Sequence, residues 1–380
     1  MSRLPAALAA VLVLALPGAA RAATIPKAKL RSALATSRLD EGIPAASAAI
    51  VRDGRVVWSA AVGRAVDTDG VHPRTGRPTA RRNRPARVTT RFSLASASKT
   101  YTAALVLKLV DEGKVVLDEP LARWAPAIPG ADRVTVRMLL DHTTGYPDVE
   151  TESPLAEQLD IGGGYDPNQA WNRAEILSRQ QAPRFPPGSK YEYSNSNYLL
   201  LGEVLERASG GNADSELQRL IAGPLGLRET TYATRPGLAA KMARSYEYSD
   251  ETYNDHWAGA SGVPTDLVGP VWTDGGVVTT AREAARFFDA LNQGRLLSPA
   301  TQQAMLTPSA PGAGERYGLG TYAYGEAGRT WQGHDGNYGG YQSQVFTDRA
   351  GRLTLAVLVN SDGDSAETVF SALAKVLAPR

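Results

Sequence analysis

Ser96 and Lys99 stand three residues apart in Phe92-Ser93-Leu94-Ala95-Ser96-Ala97-Ser98-Lys99-Thr100. On a helix that spacing stacks two side chains on one face, within reach of each other. A serine hydroxyl is a poor nucleophile at neutral pH, so a hydrolase that uses one needs a base beside it and donors waiting for the oxyanion. Lysine becomes such a base in apolar surroundings, because desolvation penalises the ammonium and lowers its pKa. Ala103, Leu105, Val106, Leu109 and Val110 follow at helical spacing and supply those surroundings. If Ser96 opens this helix, its own N–H has no intrahelical acceptor and is available to an oxyanion. Among the lysines, Lys99 alone has a serine three positions before it.

Two later segments add chemistry of the same kind. Tyr191-Glu192-Tyr193-Ser194-Asn195 follows the turn Pro186-Pro187-Gly188. A phenol beside an ammonium ionises below its free value of about 10, which makes Tyr193 a second candidate for the serine proton. Asn195 offers an amide to hold Lys99 or a substrate carbonyl. In Gly333-His334-Asp335-Gly336, Gly336 is expected to let substrate backbone run close to an edge strand. Asp274 and the aromatics Tyr146, Trp272, Tyr338 and Tyr341 are candidate cleft walls, since substrate pockets are mostly apolar with a few polar groups.

The elements that must position these residues follow from periodicity. Residues 29–39 have helical spacing; 46–51 and 55–61 read as strands joined at Asp53-Gly54; 96–112 reads as a largely buried helix stopped by Gly113. Residues 120–267 mix short helices, such as 197–208 and 213–221, with Gly- and Pro-rich loops, and read as an inserted, mainly helical lobe. Residues 342–347 and 352–358 form a second hairpin around Arg349-Ala350-Gly351, and 365–377 is an amphipathic closing helix. Strands at both ends of the chain predict an α/β fold with one sheet closed by the two termini.

Composition narrows the function. Hydrophobic residues at 43% and charged residues at 21% describe an ordinary globular chain, and 380 residues suit one large domain or two intimate ones. Arg3, the apolar run 4–16 and Ala20-Arg21-Ala22 read as a secretory signal peptide cleaved after Ala22, its apolar run being short of the roughly 20 residues that span a bilayer. Residues 23–380 are then the hydrolase domain, periplasmic or secreted, with no membrane anchor. Loss of Arg3 and Arg21 brings the 41 basic residues level with the 39 acids, so net charge gives no reason to expect nucleic acid as a partner. The absence of cysteine excludes disulfides and thiol catalysis. His72, His142, His256 and His334 are scattered without a metal-ligand spacing, no Gly-x-Ser-x-Gly elbow occurs, and no cofactor is implied. The six arginines between Arg74 and Arg87 read as a solvated insertion.

With these residues in order, the chain resembles the serine β-lactamase-related family of class C β-lactamases, D-alanyl-D-alanine carboxypeptidases and related esterases. Ser96-Ala97-Ser98-Lys99 matches its first motif, Tyr193-Ser194-Asn195 its second and His334-Asp335-Gly336 the histidine form of its third. Leu139 to Gly145, Phe185 to Gly188, Leu201-Gly202-Glu203 and Gly275 to Ala281 match as flanks. The resemblance implies an antiparallel sheet flanked by helices, a helical lobe and an active site between them. It also implies acylation of Ser96, with Lys99 and Tyr193 sharing the proton, an oxyanion hole from the amides of Ser96 and Asn337, and a structural role for the loop of His142. Asn195, His334, Gly336 and Asn337 are the expected substrate-binding residues. The third motif departs from Lys-Thr-Gly: a histidine of ordinary pKa near 6.5 holds an anion less well at pH 7 than a lysine does. That lowers the expectation of β-lactamase activity, while the same histidine form is similar to that of secreted D-alanyl-D-alanine carboxypeptidases, so the resemblance implies D-alanyl-D-alanine carboxypeptidase or D-amino-acid peptidase action on a small molecule or peptide, including cell-wall peptide. Esterase, β-lactamase and penicillin-binding sensor are the alternatives.

Overall fold

The computed structural model describes residues 24–66, 84–150, 173–233, 238–249, 252–255, 272–308, 317–362 and 365–378. The expected signal peptide, most of the arginine loop, His72 and His256 lie outside them. The strands are β1 (Ala45–Arg52), β2 (Arg55–Val66), β3 (Arg84–Pro85), β4 (Phe92–Ser93), β5 (Thr231–Tyr232), β6 (Tyr246–Ser249), β7 (Thr252–Asp255), β8 (Val277–Thr279), β9 (Tyr322–Glu326), β10 (Arg329–Tyr338), β11 (Tyr341–Asp348) and β12 (Leu353–Val359). The helices are α1 (Lys27–Asp40), α2 (Ser98–Asp111), α3 (Val136–Leu140), α4 (Arg173–Ser178), α5 (Asn195–Ser209), α6 (Ala213–Leu217), α7 (Gly223–Leu225), α8 (Ala281–Asn292), α9 (Pro299–Leu306) and α10 (Ser365–Val376).

Side chains alternate across a strand, and here the alternation separates two cores. Ala46, Ala48 and Ile50 of β1 and Leu353, Leu355, Val357 and Val359 of β12 face Leu30 and Leu34 of α1 and Val369, Phe370 and Leu373 of α10. Ala49, Val51, Ala356 and Leu358 face the other way, into a core shared with α2, α8 and the helical region. The sheet runs β3-β2-β1-β12-β11-β10-β9, with antiparallel neighbours throughout, so the two termini meet at its centre as the hairpin patterns predict. The expected second hairpin is β11–β12. Its neighbours β9 and β10 lack a strand-like pattern because β10 carries Gly333, His334, Asp335, Gly336 and Asn337, and packing rather than propensity makes it a strand.

The helix expected from Ser96 begins later. Ala95–Ala97 forms a 3₁₀ turn and the α-helix starts at Ser98. Ala95 has φ of 47°, which interrupts helical geometry just before the serine. From Ser98 to Leu107 every residue of α2 is buried, so it is the axis on which the other elements pack.

One such contact fixes the far side of the site. On α5, a Cβ at Gly202 would lie 2.2 Å from the Trp272 ring and 2.4 Å from Thr273 Oγ1. Thr273 Oγ1 donates to the carbonyl of Tyr198 at 2.8 Å, so the segment leading to Asp274 is seated directly on the helix backbone. Gly202→Ala must displace that segment; the expected cost is about 1 to 3 kcal/mol of stability, read from the urea midpoint, with a fall in turnover. An unchanged midpoint would show that the contact yields freely.

Candidate active site

The turn that carries Ser96 is pinned from three sides. Ala95 N–H donates to Ser93 Oγ at 3.1 Å, Ala97 N–H to the Leu94 carbonyl at 3.2 Å, and Val277 N–H of β8 to Ser98 Oγ at 3.0 Å. The left-handed Ala95 is a local strain that these bonds hold in place, and it presents Ser96 ahead of the helix.

Lys99 is fully buried. Its Nζ lies 3.1 Å from Ser96 Oγ, 2.7 Å from Asn195 Oδ1 and 3.1 Å from the Asp274 carbonyl, with the Asp274 carboxylate at 3.8 Å. Burial lowers its pKa, while Asp274, Glu150 and Asp148 pull the other way. The same burial raises the acids: Asp274 is pushed up to about 6 and Glu150 well above the usual carboxylate range. Asp274 is thus no cleft wall; it is buried behind Lys99. Asp148 Oδ2 accepts the Asn195 N–H at 2.9 Å, holding the start of α5, where a carboxylate suits the helix dipole.

Tyr193 reaches Ser96 from the opposite side, its hydroxyl hydrogen-bonded to the serine. Burial pushes this phenol well above its ordinary value, against the lowering effect of that hydrogen bond. That burial works against the easy ionisation expected from a neighbouring ammonium. Lys99 Nζ lies over the Tyr193 ring, 5.0 Å from its centroid, where it meets the π face and not the oxygen.

His142, read from sequence as structural, belongs to a chain of hydrogen bonds whose directions can be assigned. Its Nδ1 accepts from the Ser194 N–H at 3.2 Å and from Asn197 Nδ2 at 3.1 Å, so a neutral ring carries its proton on Nε2. That N–H donates to the Tyr317 hydroxyl at 3.2 Å, Tyr317 donates to His334 Nε2 at 3.1 Å, and His334 Nδ1–H donates to the Asp335 carbonyl at 2.6 Å. Burial drives both histidines below their ordinary pKa, His142 well below. The His142 ring also stacks on Tyr193, with centroids 4.3 Å apart. The second and third motifs are joined through two neutral imidazoles.

Gly336 has a different task from the one expected. A Cβ there would lie 2.2 Å from the Leu94 carbonyl oxygen, 2.7 Å from Ser96 N and 2.9 Å from Ser343 Oγ, so the missing side chain admits the nucleophile turn. Nor is β10 the sheet's edge, although its pairing with β9 ends at Gly333 and leaves its outer side open from His334 onward. Gly339 and Gly340, with φ of 56° and 70°, form a two-residue turn that closes on the pair Tyr338↔Tyr341. Alternation along the antiparallel ladder then makes Asn337↔Gln342 a pair without mutual hydrogen bonds, which aims the Asn337 N–H away from β11 toward that open side.

These groups surround a cleft of about 510 Å³ lined by Ser96, Tyr191, Tyr193, Tyr317, Tyr322, His334, Asp335, Gly336 and Asn337. Lys99 and Asn195 stand behind Ser96. The aromatics proposed from sequence as walls are elsewhere: Tyr146, Trp272 and Tyr341 are buried in the core, and Tyr338 packs against it. Tyr317 was not singled out, and the only hint in its surroundings is Gly318-Leu319-Gly320. A Cβ at Gly320 would lie 2.5 Å from Ala103 Cβ on α2, which brings Tyr317 to the cleft.

Fold and site together define a serine hydrolase. The chain belongs to the Beta-lactamase family, whose pattern matches residues 28–378. It is 27% identical over 315 residues to penicillin-binding protein 4* of Bacillus subtilis, covering 74% of this chain and 63% of that protein. It is 25% identical over 343 residues to a D-aminopeptidase of Cereibacter sphaeroides, covering 88% of this chain and 60% of that one. The chain thus spans less than two thirds of the length of these relatives. The structure of a D-stereospecific amidohydrolase from Streptomyces sp. superposes with a TM-score of 0.73 at 29% identity, over 91% of this chain and 97% of that one.

Two outcomes are expected from this geometry. Gly336→Ala pushes the Ser96 turn out of register and should lower turnover about 100-fold, with the far-ultraviolet spectrum unchanged. Asp274→Asn removes a negative charge that raises the Lys99 pKa, so that pKa falls further. If neutral Lys99 is the working form, the acidic limb of the kcat/KM profile moves to lower pH; a shift to higher pH would contradict the assignment.

Proposed function

We propose that the protein is an exported amide hydrolase in which Ser96 forms an acyl-enzyme with a D-amino-acid amide or short D-peptide. The observation that carries this reading is the seat of Lys99. A neutral amine has two N–H groups and one lone pair. Asn195 Oδ1 at 2.7 Å and the Asp274 carbonyl at 3.1 Å take the two N–H groups, which leaves the lone pair for the hydroxyl proton of Ser96 at 3.1 Å. That proton passes to Nζ as Oγ bonds to the substrate carbonyl carbon. The new ammonium has an acceptor for each donor, so nothing need turn. The oxyanion develops toward the amides of Ser96 and Asn337.

As the C–N bond breaks, the Lys99 ammonium, whose third N–H points to Ser96 Oγ, gives its proton to the leaving nitrogen, and Tyr193 stays protonated beside it as a hydrogen-bond donor. Water then attacks the ester and Ser96 recovers its hydrogen. Sequence left the base open between Lys99 and Tyr193; the depressed pKa of the first and the raised pKa of the second favour Lys99. The names of the D-aminopeptidase and the D-stereospecific amidohydrolase support D-amino-acid substrates. Carboxypeptidase action needs a cation for the terminal carboxylate. Among the described cleft residues none is available, since Lys99 is enclosed and His334 is held neutral. Export rests on the apolar run 4–16 and the Ala20-Arg21-Ala22 site, and is checked by mass spectrometry of the mature N-terminus.

With D-alanine p-nitroanilide as substrate, Ser96→Ala should abolish the acyl adduct seen by intact-mass spectrometry. Lys99→Met should slow acylation by roughly 10² to 10⁴-fold without loss of fold. Near-normal turnover in either variant sinks the mechanism.

A further inference from the structure

We infer that Asp335, set among the cleft tyrosines, is a subsite that recognises an ammonium group on the substrate. The inference rests on the proposed amide hydrolysis for its place beside Ser96, and adds the charge that the substrate carries. Asp335 lines the same cleft as Ser96, and its side chain is 46% exposed. Tyr322 donates its hydroxyl to Asp335 Oδ1 at 2.9 Å, which fixes the carboxylate and leaves Oδ2 for a ligand. His334 Nδ1 is 3.6 Å from Oδ1, yet its proton is spent on the Asp335 carbonyl at 2.6 Å, and Tyr317 occupies Nε2 as a donor. The imidazole therefore stays uncharged and does not neutralise its neighbour. Among the described residues no lysine or arginine pairs with this carboxylate.

The walls suit the same ligand. Tyr191, Tyr317 and Tyr322 line the cleft with Asp335, and Tyr317 packs 6.2 Å from Tyr322 and 5.6 Å from Tyr191, so the wall around the carboxylate is aromatic and brings no cation. Aromatic rings attract an ammonium through the ring quadrupole and offer nothing to a carboxylate. The other acids near the site, Asp148, Glu150 and Asp274, are all at most 8% exposed and belong to the surroundings of Lys99, out of reach of a ligand. Asp335 is accordingly the accessible full charge of the described cleft. A substrate bearing a free primary amine gains a charge-assisted hydrogen bond there, and one bearing an acid at the same position meets repulsion. The class indicated is an amide or short peptide of an amino acid whose amine is unblocked.

The test is a charge series on one scaffold: D-alanine p-nitroanilide, its N-acetyl form and its N-succinyl form, carrying a cation, no charge and an anion. Binding to the Ser96→Ala protein is followed by calorimetry, and turnover by the wild type is followed by nitroaniline release. The cation should bind about 10-fold or more tighter than the neutral form, with the anion weakest, and Asp335→Asn should compress that order. Tighter binding of either blocked form, a flat series, or an order that Asp335→Asn leaves intact overturns the subsite. Cation-selective binding with no nitroaniline release supports the subsite and overturns the amide-hydrolase reading. Release with a flat binding series does the reverse.

Discussion

A lysine with no exposed surface governs this structure. An ammonium taken out of water loses several kcal/mol of hydration even after the protein relaxes, so a chain keeps one buried only where oxygen acceptors surround it or its charge is given up. At Lys99 the acceptors are in place, and burial lowers the pKa. The side chain starts from α2, whose apolar residues exclude water, and ends between Ser96, Asn195 and the Asp274 carbonyl. Each acceptor comes from a different segment, so the turn at Ser96, the start of α5 and the segment before β8 must all arrive at one point. The buried acids around it raise the Lys99 pKa while burial lowers it, and the balance sets how readily the amine takes a proton.

Close backbone contact holds that convergence. Gly336 allows β10 to lie against the nucleophile turn, Gly320 allows the segment after Tyr317 to lie against α2, and Gly202 allows the Asp274 segment to lie against α5. At each position a methyl group would fall within 2.5 Å of another residue's atoms. Side chains hop between rotamers, but packed backbones do not, and a proton transfer over about 3 Å tolerates little displacement. The glycines therefore serve geometry more than flexibility here.

Substrate choice is a separate layer on this frame. Similar chains carry names for different activities, so the family leaves the substrate open and the cleft's charge and shape must decide it. In this chain the histidine of the third motif is tied through Tyr317 to His142 and stays neutral, while Asp335 beside it faces the cleft. Replacing a motif lysine by histidine thus does more than weaken an anion site. On the subsite we propose, the neighbouring aspartate then sets the sign of the field.

Much of the frame was legible in the sequence. The termini announced their pairing because β1 and β12 are apolar runs, each next to a turn signal, Asp53-Gly54 or Arg349-Ala350-Gly351, and α2 was readable because its apolar residues recur at helical spacing. Spacing and motif order single out Ser96, Lys99, Tyr193, Asn195, His334, Gly336 and Asn337, and the structure brings them around one cleft. What the sequence by itself determined is local: which segments bury one face or all faces, and which side chains lie one helical turn apart. What only the tertiary structure decided depends on long-range contact. Tyr193 has a raised pKa because burial outweighs its hydrogen bond to Ser96. Gly336 faces Leu94 and Ser96, Asp274 is buried behind Lys99, and the Tyr317 hydroxyl joins His334 to His142, which lies 175 positions from Tyr317. Hydrogen-bond direction and burial are properties of a three-dimensional neighbourhood, and no periodicity in the chain records which atoms will become neighbours.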